Sequence, residues 1–528
     1  MNPGQNVQGF IDRLGQLKTA RSLFENTWQD IADLCIVGSA NIKTTTFAGD
    51  NSRSANIFDI TVIQAIDFLV ASLHSGLTNQ SMNWFDLNTK DPVLKKDPAV
   101  VTFLDKSKDY MLNLFNSSTS SFSSQNHEVL TSIVQYGHGC LLVEDLVEKG
   151  IRFCAVHISE IFIGENVYGL VDTVYRRFSM TARQMVQKWG DLVHMAVTKA
   201  YEKEPDKKFE VLHVVEPKSI NAQPANKGHS FVSFYIDIEN KKLITSGGYY
   251  ENPYIIARFS KFAGEVYGRS PTWQTLPFVR LINKMTETIL KAAQLQTQPP
   301  LLLADDGVMM PLNAKPNGVI FGGIADGVPR VQPLNVGGNL NIGVELLKGI
   351  QKAIRDSFFI DQLVFNQGPQ MTATEVIQRQ QESLKLLGPV LGRLQTEYLT
   401  PLISKVFSIL ARSDKLGEIP EPLKDNEYNI EYVGPVPLLQ KASDVQKFQQ
   451  FIASIAPVVQ VSPQILDNFD LDIAARHIAE SLSIWKDSIQ DEKAVMDIRE
   501  QRNQQQQMQQ GMNLAEQASN ISSVLNKK

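Results

Sequence analysis

Cysteine is nearly absent: Cys35, Cys140 and Cys154 are the three in 528 residues. That number supports no disulfide framework, and the scatter suits a reducing compartment. Long hydrophobic runs are also missing. The most apolar window, Ile57–Leu77, is broken by Asp59, Asp67 and His74, so no membrane span is expected. The first nine residues are polar and lack the apolar core of a signal peptide. Positive charge is not in excess either: 51 Lys and Arg against 56 Asp and Glu give a net charge of −5. Chains that coat nucleic acid are usually basic, so that class is disfavoured. No compact basic recognition helix marks a sequence-specific regulator.

The chemistry-bearing motifs are missing as well. Gly322-Gly323 and Gly337-Gly338 lack the Lys and Ser/Thr of a phosphate loop and read as turn glycines. Eight dispersed histidines form no HExxH or paired arrangement, and Asp305-Asp306 has no further ligand at metal spacing. Ser483 to Lys486 fits a Ser-x-x-Lys pattern too short to be informative. Gly137-His138-Gly139-Cys140 brings an imidazole close to a thiol. A tight loop feeding a buried strand accounts for it, because neighbours on a strand face opposite ways and such a pair shares a proton poorly. No enzyme activity, metal or cofactor is expected.

What is present is a chain long enough for two to four domains, with an ordinary globular composition of 43% hydrophobic and 20% charged residues. Helical periodicity runs over Phe10–Leu34, Thr61–Leu77, Pro98–Asn116 and Asn126–Tyr136, with a serine-rich turn over Ser117–Ser124. The middle third turns to short β-prone runs: Cys140–Glu144, Ile151–His157, Ile161–Ile163, Leu170–Phe178, Phe209–Glu216, Phe231–Asp237 and Tyr254–Phe259, with a short helix over Thr181–Lys188. The fold class is therefore α+β and predominantly helical.

From Ser270 the pattern changes again. Pro271 opens a helix to about Gln296, stopped by Pro299-Pro300. A small β module with turn signals at Asp306-Gly307, Pro316-Asn317-Gly318 and Asp326-Gly327 follows, then a second helix from about Leu340 to Gln362. A helix out, a β cap and a helix back make a spoke, an element suited to assemblies. Lys348, Lys352 and Arg355 are spaced i, i+4, i+7 on one face of the second helix, with Leu347, Ile350, Ile354 and Phe358 on another. On the first, Arg280, Lys284, Glu287 and Lys291 line up apart from Val279, Ile282 and Ile289. Two readings of the cationic stripe stay open: solvated helix faces that pair between copies, or a surface toward a polyanion. The next loop, Leu363 to Gln370, carries no charge. Its Asn366, Gln367 and Gln370 suit contact with DNA without the grip of lysine–phosphate pairing, and a plain surface loop would look similar. A further helix opens at Thr372, breaks at Gly388-Pro389 and runs to about Arg412. Strand Tyr428–Val433 and helices Ala442–Pro457 and Leu471–Lys486 follow. In the tail, seven of the ten residues from Gln501 to Gln510 are glutamine, consistent with an assembly-dependent helix or with disorder.

Several short motifs, in order, carry a family resemblance: Trp28-Gln29-Asp30-Ile31-Ala32-Asp33, Ile57-Phe58-Asp59 with Thr61, Leu77-Thr78-Asn79 and Trp84-Phe85-Asp86-Leu87. Tyr136-Gly137, Phe178-Ser179-Met180-Thr181-Ala182, Tyr267-Gly268-Arg269-Ser270 and Thr372-Ala373-Thr374-Glu375 continue it. With these the chain resembles the head-to-tail connecting (portal) proteins of short-tailed, T7-like bacteriophages. Val37, Ile60 and Val62 depart from that pattern in local loops. The resemblance implies a homo-oligomeric ring of about twelve copies at one capsid vertex in the virion, assembled in the host cytoplasm. Double-stranded DNA would pass through it without sequence specificity. A terminase motor, tail adaptor, capsid and scaffolding proteins are the implied partners. It further implies a wing (1–269), a stem helix (270–297), a clip (298–338) and a second stem helix (339–362). A tunnel loop (363–371), a wing helix with return connections (372–478) and a C-terminal crown (479–528) complete the division. The lesser alternatives are a tail adaptor or collar component and an enzyme of unrecognised type.

Overall fold

A computed structural model describes residues 3–37, 57–80, 83–89, 97–146, 150–218, 228–297, 340–360 and 387–424. It also describes residues 42, 91, 93–94, 301–303, 324–325, 328–329, 331–333, 430–432, 448–457, 470–481 and 490, and parts of 494–508. Two compact units divide between Gly434 and Pro435. Among the described residues no helix is long and apolar enough to cross a membrane.

Helix α1 (Pro3–Cys35) shows how an amphipathic stripe becomes a clamp. Val7, Phe10, Leu14 and Leu17 recur every three to four residues and are buried against Phe162, Tyr175, Leu212, Val214, Phe234 and Ile236. Those partners lie on a five-stranded antiparallel meander of β4 (Ile161–Glu165), β5 (Val171–Thr181), β6 (Lys208–Pro217), β7 (Phe231–Asp237) and β8 (Lys242–Tyr249). The opposite face, through Phe209, Val211 and Ile244, is covered by α5 (Ala182–Trp189) and α6 (Met195–Lys203). α5 starts in a capping box between Thr181 and Gln184. The sheet is thus buried on both sides.

A second layer holds α2 (Thr61–Leu77), α3 (Pro98–Asn116) and α4 (Phe122–Tyr136), with β2 (His138–Leu146) paired to β3 (Gly150–Val156) and β9 (Tyr254–Arg258). Strand β1 (Leu87–Thr89) pairs with residues Ile430–Tyr432. α4 begins four residues before the expected Asn126. Phe122 is buried among Trp84, Phe115 and Phe153, and that aromatic contact outweighs the turn preference of the serines. Gly137 and Gly268 meet backbone to backbone. A Cβ on Gly268 would lie 2.3 Å from the Gly137 carbonyl oxygen, and one on Gly137 2.5 Å from that of Gly268. Gly137 also has φ +96°, so glycine is required there twice over.

The spoke helices are α7 (Pro271–Thr297) and α8 (Leu340–Ser357), which pack on each other and on α2. Between them lie two antiparallel pairs, Leu301–Leu303 with Val331–Pro333 and Ile324–Ala325 with Val328–Pro329. α8 is shorter than the expected Leu340–Gln362. Phe358 and Phe359 form turns on the Arg355 and Asp356 carbonyls, and Phe359 adopts φ +59°, where a helix cannot continue. Residues 387–412 form one helix, α9, with Gly388-Pro389 in its first described turn and a π turn at Gln395–Leu399; the break expected at Gly388-Pro389 falls at the edge of the described residues. Leu387, Leu391, Leu394 and Leu402 are buried along it.

The second unit contains helix 448–457, Leu471–Ser481 and helical residues from 494 into the glutamine tract at 504–505 and 508. Arg499 there forms a bidentate pair with Asp472 at 2.6 and 2.7 Å.

Candidate functional site

The candidate site is the outer surface of α7 and α8, and a three-helix polar staple sets its geometry. Asn283 of α7 is buried; its Oδ1 accepts from the backbone N–H groups of Phe58 (2.8 Å) and Asp59 (3.1 Å). Its Nδ2 donates to the Val279 carbonyl. Asp59 then works in two directions: Oδ1 accepts from Thr61 N–H at the start of α2, and Oδ2 accepts from Gln351 Nε2 of α8, both at 2.8 Å. Around these bonds Val279, Ile282, Ile354 and Phe358 are buried. Gly343 lets α8 approach Ile289 of α7 closely. The apolar stripes anticipated from spacing are thus the packed faces.

The charged faces differ between the two helices. On α7 every expected cation has a partner: Arg280 pairs with Asp30, and Lys284 and Lys291 both reach Glu287 at 3.0 and 2.6 Å. These two partners hold the Glu287 carboxyl below the usual range. On α8, Lys348, Lys352 and Arg355 are all exposed, and no described acidic side chain pairs with any of them. Glu345 and Asp356 are exposed one ridge further round and close no ion pair with the three cations. Large apolar side chains are exposed on both helices: Phe278, Leu281, Leu290 and Leu295 on α7, Ile342 and Leu346 on α8. Asn366, Gln367 and Gln370 of the uncharged loop lie outside the described residues. So do Asp305-Asp306, both glycine pairs, the Ser483–Lys486 pattern and the helix expected from Thr372.

The Cys/His motif resolves differently from the expectation. His138 and Cys140 are two positions apart on β2, so they share a side of the strand instead of facing opposite ways. His138 sits between the rings of Trp28 and Tyr267 at 5.1 and 5.2 Å, and burial pulls its pKa down to about 3. Burial raises the Cys140 thiol strongly, so the one stays neutral and the other protonated. A serine–histidine contact that spacing did not reveal joins β6 to β7. His213 Nε2 meets Ser233 Oγ at 2.9 Å and Nδ1 meets Tyr254 Oη at 2.6 Å. Both residues are sealed, at 1% and 4% exposure, and His213 stacks on Tyr235. It is a polar tie within the sheet. Nearby, a recess of about 970 Å³ is lined by Arg176, Lys405 and Arg412. Arg176 is held by Glu160, Arg412 by Glu251, and Lys405 donates to the Glu251 and Asn252 carbonyls. Burial draws that ammonium down to about 8. Among the described residues no cluster of His, Cys, Asp and Glu is arranged to hold a metal.

Several of the motifs that carried the resemblance are fold staples, and Thr372-Ala373-Thr374-Glu375 lies outside the described residues. Trp28 is fully buried, Gln29 accepts from the Ile42 N–H, Asp30 holds Arg280, and Tyr136-Gly137 meets Tyr267-Gly268. Thr78 accepts from Asn126, which accepts from Tyr398 of α9. An arrangement of this kind, with packing joints in place of a reactive centre among the described residues and exposed charged and apolar side chains along the spoke, is that of a structural scaffold subunit. A family profile described as bacteriophage head to tail connecting protein matches residues 7–489, and the chain belongs to that family. It is 29% identical to the portal protein of Salmonella phage epsilon15 over 96% of this chain and 93% of the relative. It is 26% identical to the probable portal protein of Bordetella phage BPP-1, over 98% and 94%. With the portal protein of Escherichia phage T7 it shares 23% identity over 53% of this chain and 51% of that one.

Proposed function

We propose that this chain is a structural portal subunit: copies close into a ring of about twelve at one capsid vertex of the virion, with α7 and α8 walling a channel for double-stranded DNA. The packaging motor and a tail adaptor dock on the same ring, the adaptor on the β module between the stems, about 298–338. Residues 1–269 form the wing, 363–371 the tunnel loop and the C-terminal region the crown. ATP hydrolysis falls to the separate motor.

The observation that carries this reading is the contrast between the two stem helices. α7 has its cations neutralised within the chain, while Lys348, Lys352 and Arg355 of α8 are exposed and have no acidic partner among the described residues. Phe278, Leu281, Leu290, Ile342 and Leu346 are about half exposed, and covering the rest by a neighbouring copy gains about 1 kcal/mol each. At −5 per chain, twelve chains carry roughly −60, a field that repels phosphate overall. A repulsive wall with a few local cations guides DNA without trapping it.

The test is Lys348→Glu combined with Lys352→Glu in the full-length chain. The expected outcome is a normal ring by negative-stain imaging with reduced DNA packaging or retention. Failure of the ring to assemble would assign the ridge to contacts between copies, against the acidic ridge of Glu345 and Asp356.

A further inference from the structure

We propose that Gln351, acting through Asp59 and Asn283, is the positioning residue that fixes the roll of α8 and so aims the cationic ridge; this rests on the reading that the ridge faces DNA. The apolar contacts of Ile354 and Phe358 hold α8 in place but are non-directional and tolerate rotation about the helix axis. A hydrogen bond is directional, and the Gln351–Asp59 bond at 2.8 Å is the polar tie between α8 and the α2 start.

Its location on the helix gives it leverage. At 3.6 residues per turn Gln351 lies about 60° round from Lys348, between the packed stripe and the ridge. A roll of about 30° moves a side chain at helix radius 5–6 Å by roughly 3 Å, enough to break a charge contact. Asp59 cannot drift with Gln351, because its other oxygen accepts from the Thr61 N–H at the start of α2 and its backbone N–H is held by Asn283. α7, α2 and α8 are therefore locked in one register by bonds of 2.8 to 3.1 Å.

The experiment uses full-length chain in assembled rings, with ring integrity by negative stain and DNA retained per particle as separate readouts. Gln351→Ala is expected to leave rings intact and lower retained DNA by about fivefold, the weight of one hydrogen bond. In the Lys348→Glu, Lys352→Glu background the same change is expected to do nothing more. Asp59→Asn with Gln351→Glu reverses the polarity of the bond and should restore retention. Equal losses from Gln351→Ala with and without the cations would overturn the proposal, and so would no loss, or a folded swap variant that fails to rescue. If Gln351→Ala alone prevents assembly, the swapped pair decides. Normal DNA content in its rings supports the positioning role, and depleted DNA refutes it. If the two-lysine variant packages normally, the ridge reading itself falls and takes this inference with it.

Discussion

Single residues in this chain mostly act as joints, and three of them yield measurable consequences. Gly268 faces the Gly137 carbonyl with no room for a methyl group. Gly268→Ala should lower stability by about 3 kcal/mol in chemical denaturation, because the atom it meets is backbone. Arg258 is 1% exposed and bidentate to Glu397 of α9, at 3.0 and 2.9 Å, while also meeting Glu165. Glu397→Ala leaves much of that charge buried without its main partner and should cost about 3–5 kcal/mol. Histidines set the acid limit. His138 and His157 have folded-state pKa values lowered to about 3 and about 4, chiefly by burial. Below about pH 6.5 the unfolded chain binds protons that the folded chain refuses, so stability falls as pH drops toward 4. Each histidine contributes about 1.4 kcal/mol per pH unit in that window. His138→Phe, which keeps a ring between Trp28 and Tyr267, should flatten the slope by that amount in denaturation series from pH 6 to 4.

At the scale of elements, α9 carries the clearest prediction. Tyr398 Oη donates to Asn126 Oδ1 at 2.7 Å, and Asn126 donates to Thr78 at 2.7 Å, tying α9 to α4 and the end of α2. Tyr398→Phe leaves a buried acceptor unmatched and should cost about 1–3 kcal/mol, with Thr78→Val less than additive to it in a double-mutant cycle. The same elements show what was legible beforehand. Long helices such as α2 and α3, with their boundaries, follow from periodicity, because burial of one face fixes the pattern. Strand β8 was missed: Gly247-Gly248 look like a turn, and only pairing with Ser233 and Val232 of β7 keeps them extended. Short α6 lacks a repeating stripe of its own and is buried through Val197 alone.

For the whole molecule, sequence order showed a spoke and a cationic line but not which cations were already neutralised. That required Asp30 to meet Arg280 across 250 positions. The staple was equally hidden, since Asp59, Asn283 and Gln351 are far apart in sequence and ordinary in type. The most direct measurement is therefore an image of purified full-length chain, at a resolution that places α8. The expected result is a closed ring with a central channel and Lys348, Lys352 and Arg355 directed into it. A persistent monomer, or a ring in which those three side chains are buried between neighbouring copies, would contradict it.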